Sequence, residues 1–112
     1  MGIVLVCVKK VVRIGRSLSF ILPSSFARFL GVSSSTLFYV SCGDGCVKYS
    51  LDPGDGHRFV VKARVQARFG SHEYYAITIP RRCAESMGVS EGSSILLKCY
   101  DRVLVAEPVL GR

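Results

Sequence analysis

From residue 1 to residue 43 there is not one acidic side chain, although Lys9, Lys10, Arg13, Arg16 and Arg28 all fall in that stretch. Histidine is nearly as scarce, with only His57 and His72 in 112 residues, so options for general-base chemistry are few. No serine or cysteine has a plausible base beside it, no glycine loop is built to cradle phosphates, and no histidine and carboxylate cluster has metal-ligand spacing. Catalysis is therefore the weakest functional class, and no cofactor is expected.

Long apolar runs are also missing. None approaches the ~18 residues that a membrane-spanning helix needs. Residues 2–8 are apolar but short, with no basic segment before them and no small-residue cleavage site after them. They read as a strand rather than a signal peptide, which leaves the cytoplasm as the default expectation. The five cysteines (Cys7, Cys42, Cys46, Cys83, Cys99) are odd in number and irregular in spacing, so small buried thiols are expected rather than a disulfide framework. Cys42 and Cys46 taken with His57 and His72 match no familiar zinc pattern, and no metal is expected.

What the chain does contain is a duplication. A shift of 57 positions aligns Pro23 with Pro80, Ala27 with Ala84, Gly31 with Gly88, Val32 with Val89 and Ser33 with Ser90, and also Cys42 with Cys99 and Asp44 with Asp101. Upstream of the proline a shift of 55 pairs Arg13 with Arg68 and Gly15 with Gly70, so the second copy carries two extra residues between glycine and proline. The copies occupy residues 1–51 and 58–112, joined by a linker at 52–57. Fixed-period self-similarity marks a repeated structural unit. Units of about 50 residues are marginal alone, so the two should pack together as one compact body.

Hydrophobic content of 49% against 21% charged describes a folded globular chain. Residues 3–14 read as one long valine-rich strand and residues 18–22 as a second, with the turn at Gly15-Arg16-Ser17 between them. Pro23 suits the first turn of a short helix, Phe26, Ala27, Phe29 and Leu30 form its apolar core stripe, and Gly31 closes it. Residues 36–42 and 46–51 make a hairpin about Gly43-Asp44-Gly45. The second copy repeats this with strands at 59–69 and 74–79, a helix at 80–87, and a hairpin from 94–100 and 103–107. Each unit reads β-β-α-β-β, a mainly β fold with two short helices.

The runs Val12-Arg13-Ile14-Gly15-Arg16-Ser17, Ile21-Leu22-Pro23 and Leu30-Gly31-Val32 resemble the SpoVT/AbrB swapped-hairpin domain, a family that includes MazE-type antitoxins. Arg68-Phe69-Gly70-Ser71, Ile77-Thr78-Ile79-Pro80 and Met87-Gly88-Val89 supply the same order in the second copy. The resemblance implies that the units interleave hairpins into one AbrB-like β-barrel, here as a single-chain pseudo-dimer. It further implies a transcription regulator that contacts double-stranded DNA through basic first strands and the glycine turn.

By position, those contacts fall on Arg13 and Arg16 with Ser17 in the first copy, and on Arg68 with His72 in the second. Arginine's planar fork suits a phosphate or the guanine O6/N7 edge. Lys9, Lys10 and Arg64 lie on the same strands and suit phosphates. The net charge of +7 fits a polyanionic partner. The copies differ at the turn, where Arg16-Ser17 becomes Ser71-His72 followed by Glu73, in a loop expected to be two residues longer. A carboxylate there repels phosphate, so the second copy is expected to be the weaker reader.

Two other classes stay open. One is a protein-interaction module such as an antitoxin with a toxin-like partner, ranked lower because the chain runs only to Arg112, soon after its last strand. The other is a ligand-binding cradle-loop barrel. Self-association of pseudo-dimers also stays open.

Overall fold

The computed structural model describes residues 5–54 and 56–109. The first repeat contributes β1 (Leu5–Lys10), β2 (Val12–Ile14), β3 (Ser17–Ile21), α1 (Ser24–Leu30), β4 (Leu37–Gly43) and β5 (Cys46–Ser50). The second contributes β6 (Phe59–Lys62), β7 (Arg64–Phe69), β8 (His72–Ile79), α2 (Arg81–Met87), β9 (Ser94–Tyr100) and β10 (Val103–Pro108), in the same order of kinds. The fold is mainly β with two helices, and no helix among the described residues is long and apolar enough to cross a membrane.

Each expected long first strand is in fact two. Val11 is 1% exposed, and its N–H donates to the Ser93 carbonyl at 2.8 Å while its own carbonyl accepts from Gly92 N–H at 2.8 Å. Ala63 occupies the matching place in the second repeat, its N–H donating to the Thr36 carbonyl at 3.0 Å. At these buried residues the chain leaves one sheet and enters another. Residues 3 and 4 of the expected first strand lie outside the described residues.

Two antiparallel sheets result, one of them curled as a half-barrel. The larger has the order β1-β9-β10-β5-β4-β6 and the smaller β2-β3-β8-β7. Four of the eight strand pairings among the described residues cross the repeats. β1 lies on β9, with Leu5 opposite Cys99 and Lys10 opposite Ser94, while β6 lies on β4, with Leu37 opposite Lys62. At the two sheet centres β5 pairs with β10 and β3 with β8. Neither repeat completes a sheet alone, as expected of units too small to bury their own cores.

The core lies between the sheets. Tyr49, Phe20, Phe38, Ile77, Ile95, Leu97 and Leu104 are fully buried there. The Tyr49 ring meets those of Phe20 and Phe38 edge-on at 5.8 and 5.9 Å, an arrangement that places ring edges against ring faces.

The helices begin after a proline and are capped at their C-terminal ends by glycine. Pro23 and Pro80 stand at the N-cap, just before the first turn rather than within it. Gly31 and Gly88 take left-handed conformations, and Val32 N–H and Val89 N–H reach back to the carbonyls of Ala27 and Ala84. Phe26 and Leu30 are buried as the apolar stripe requires, but Phe29 is 43% exposed. In a helix of seven residues, one turn faces the core and Phe29 falls off that face.

The cysteines also depart from expectation. Cys42 on β4 and Cys83 on α2 form a disulfide across the two repeats, with Cα atoms 5.5 Å apart, while Cys7, Cys46 and Cys99 remain thiols. Cys42 is thereby excluded as a zinc ligand. The repeat shift matches the Cys42–Cys83 pair to Cys99 and Phe26, so the cross-link has no counterpart on the other side.

Candidate functional site

Both glycine turns connect strands of the smaller sheet. Ile14 pairs with Ser17 and Phe69 with His72, so each turn has two residues, Gly15-Arg16 and Gly70-Ser71. Gly15 (φ 62°) and Gly70 (φ 65°) occupy left-handed backbone that a side chain disfavours, which is why glycine leads each turn. The second loop is therefore not longer than the first. Its two extra residues lie in the strand: β8 has eight residues against five in β3, the third residue of the difference being Ile79, whose counterpart Leu22 falls just past β3, and the β7–β8 pairing carries a bulge between Val65 and Ala67.

Along β8 the turns lie at opposite ends. Leu18, next to the first turn, pairs with Ile79, whereas the second turn joins β8 at His72. At about 3.3 Å per residue, β8 separates them by roughly 23 Å.

The basic residues named from sequence divide between the two sheets. Arg13 on β2, Arg16 in the turn, and Arg64 and Arg68 on β7 are all exposed and belong to the smaller sheet, as does half-buried Ser17. Lys9 and Lys10 sit on β1 at the edge of the larger sheet. A single basic strand face through both groups does not form, because the chain changes sheets at Val11. Lys10 and Arg13 nevertheless meet one loop, Lys10 Nζ donating to the Gly92 carbonyl at 3.5 Å and Arg13 Nε to Glu91 Oε1 at 3.2 Å.

The two turns are electrostatically unlike. Arg16 has no ion-pair partner among the described residues. Arg68 is held by Glu73, directly opposite on β8, with Nε donating to Oε2 at 2.8 Å. Tyr75 donates to the other oxygen of the same carboxylate at 2.8 Å. The Arg68 guanidinium, and secondarily the Tyr75 hydroxyl, hold Glu73 below the usual carboxylate range, and the same bond raises the Tyr75 phenol. His72 packs on Tyr74, with ring centroids 4.8 Å apart, and its Nε2 shares a 3.0 Å hydrogen bond with Ser24 Oγ on α1.

Each hairpin faces the helix of the other repeat across a cleft. The first hairpin and α2 enclose about 440 Å³, lined among others by Arg13, Arg16, Ser17, Arg81 and Glu85. The second hairpin and α1 enclose about 310 Å³, lined by Ser24, Arg28, Ser71, His72, Glu73 and Tyr75. Under the repeat shifts, Arg16 is replaced by Ser71, Arg81 by Ser24 and Leu18 by Glu73. Arg81 had no sequence signal beyond its charge, because only the fold carries it to the cleft that Arg16 also lines.

The geometry provides exposed guanidinium groups on one sheet, with Arg16 unpaired among the described residues at the first turn and Arg68 paired to Glu73 at the second. Among the described residues no group of three or more histidine, cysteine or acidic side chains is placed to hold a metal ion. Comparison with protein-family models, with curated proteins and with solved structures found no match.

Proposed function

We propose that the chain is a duplex-DNA-binding transcription regulator built from two tandem SpoVT/AbrB-like swapped-hairpin units, acting as a single-chain pseudo-dimer. The observation that carries this reading is that Arg13, Arg16, Arg64 and Arg68 all stand exposed on one four-stranded sheet and its turns. The exchange of β1 onto β9 and of β6 onto β4 supports the swapped arrangement, since each first strand is completed by the other repeat.

In this reading the first hairpin is the principal contact. Arg16 is free to form two hydrogen bonds to a phosphate or a guanine edge, whereas Arg68 must first leave Glu73. Lys9 and Lys10, on the other sheet, contribute to the field that draws a polyanion in and to outer phosphates.

The test is salt-titrated binding to random duplex DNA. With about four to six phosphates neutralised, log affinity falls with log salt at a slope near −4 to −5. Arg13→Ala/Arg16→Ala flattens the slope more than Arg68→Ala does. Absent or salt-insensitive binding rejects the reading, and equal losses reject the ranking of the two hairpins.

A further inference from the structure

We infer that the cleft between the first hairpin and α2 is a binding site for a small organic anion with an apolar body. Arg13, Arg16 and Arg81 line it together, and neither Arg16 nor Arg81 has an ion-pair partner among the described residues. Two unpaired guanidinium groups, Arg16 and Arg81, in one cleft repel one another, and an oxyanion relieves that repulsion while accepting their hydrogen bonds. Arg13 already shares Glu91, and the Glu85 carboxylate also lines the cleft, so the excess positive charge belongs chiefly to Arg16 and Arg81.

The rest of the wall calls for an apolar body. Half-exposed Leu18, Pro80 and Val89 supply hydrocarbon surface to the cleft, whose lining also includes buried Ile79 and Ala84. A volume of about 440 Å³ falls in the range of roughly 300–1,000 Å³ typical of small-molecule sites. Ser17 and Thr78 are the hydroxyl-bearing residues of the same lining.

The molecule holds its own control. The repeat-related cleft has the same makeup of hairpin and helix, but serines stand at the positions of Arg16 and Arg81, Glu73 stands in place of Leu18, and Arg28 stands in place of Glu85. There the hydrogen bond shared by His72 and Ser24 ties hairpin to helix. The first cleft thus gathers two arginines without an ion-pair partner among the described residues, Arg16 and Arg81, against one, Arg28, in the second, where Glu73 also stands in the wall.

This site stands whether or not the chain binds DNA, because Arg81 and the apolar wall lie outside the proposed DNA contacts. Where both hold, an occupied cleft withdraws Arg16 from phosphate, and the ligand competes with DNA.

The experiment is an amide NMR titration of the full chain with phenyl phosphate, with inorganic phosphate and phenol as separate arms. Saturable shifts are expected at residues 16–18, 79–81 and 84, with phenyl phosphate the tightest of the three probes. Arg81→Ala weakens binding about tenfold, in line with loss of charge-assisted hydrogen bonds, and Arg81→Lys restores part of it. Arg28→Ala, in the opposite cleft, leaves it unchanged. No saturation at millimolar probe, equal shifts in both clefts, or indifference to Arg81→Ala overturns the proposal. Inorganic phosphate binding as tightly as phenyl phosphate overturns the apolar part of the ligand class. A final arm with duplex DNA alone reports on the DNA reading, so the two proposals fail separately.

Discussion

The Tyr49 hydroxyl donates a 2.9 Å hydrogen bond to the Thr78 carbonyl, fastening β5 of the larger sheet to β8 of the smaller one. Tyr49 is fully buried, so Tyr49→Phe leaves a carbonyl without its partner and costs about 1–2 kcal/mol. Urea unfolding should show a lower midpoint with an unchanged slope, because the variant exposes the same surface on unfolding. Burial also lifts this phenol far above its ordinary value of 10.0. The unfolded chain then releases the proton near pH 10 while the folded chain retains it, so stability is full below pH 10 and falls above it. Tyr75, raised chiefly by its bond to Glu73, contributes in the same direction in both proteins. The wild type should therefore lose stability more steeply above pH 10 than Tyr49→Phe, and parallel curves would contradict this.

The Cys42–Cys83 bond joins the repeats across a sequence separation of 41. Closing a loop of that length restricts the unfolded chain and stabilises the fold by about 2–4 kcal/mol. Alkylating the chain after denaturation without reductant should modify three thiols, and after reduction five. Thermal melts with and without reductant should differ by several degrees, the reduced form melting lower.

The duplication and the order of elements were legible because they rest on local signals. Proline before each helix, glycine after it and glycine in each hairpin turn say where the chain changes direction. The breaks at Val11 and Ala63 were not legible, because both lie within valine-rich runs and are set by hydrogen bonds to Ser93 and Thr36 of the other repeat. The disulfide was hidden for a related reason, since no local spacing connects β4 to α2. Arg13 and Arg16 could be singled out from their place around the glycine turn. Arg81 could not, because it reaches the same cleft only through the pairing of β3 with β8. The insertion was counted correctly and misplaced, because a two-residue difference looks the same in sequence whether it lengthens a loop or a strand.

At Gly15 and Gly70 backbone strain can be measured without steric interference. A Cβ placed on either would meet nothing within 4 Å, yet both residues have positive φ. Gly15→Ala and Gly70→Ala should each cost about 1–2 kcal/mol, all of it from the left-handed backbone. Chemical denaturation of the two variants should give similar losses, since the two turns share one geometry. A loss at one site and none at the other would show that the hairpins are not equivalent.

Glu73 governs how much of Arg68 is available to another anion. Its carboxyl titrates below the ordinary 4.5, chiefly through Arg68 and then Tyr75, so the pairing is complete near neutrality and disappears as pH falls through that lowered value. Side-chain NMR should place its midpoint below 4.5 in the wild type and return it toward 4.5 in Arg68→Ala. Glu73→Gln should also lower the Tyr75 phenol toward its usual 10.0, since the carboxylate that raises it is gone. The same substitution removes one negative charge and frees one guanidinium beside the second turn. If the smaller sheet binds duplex DNA, Glu73→Gln should tighten binding at low salt and steepen the salt slope by about one. The gain should vanish when Arg68→Ala is added, because the carboxylate acts on DNA through the arginine it holds. A tightening that survives loss of Arg68 would mean that Glu73 repels phosphate directly, with the ion pair incidental to binding.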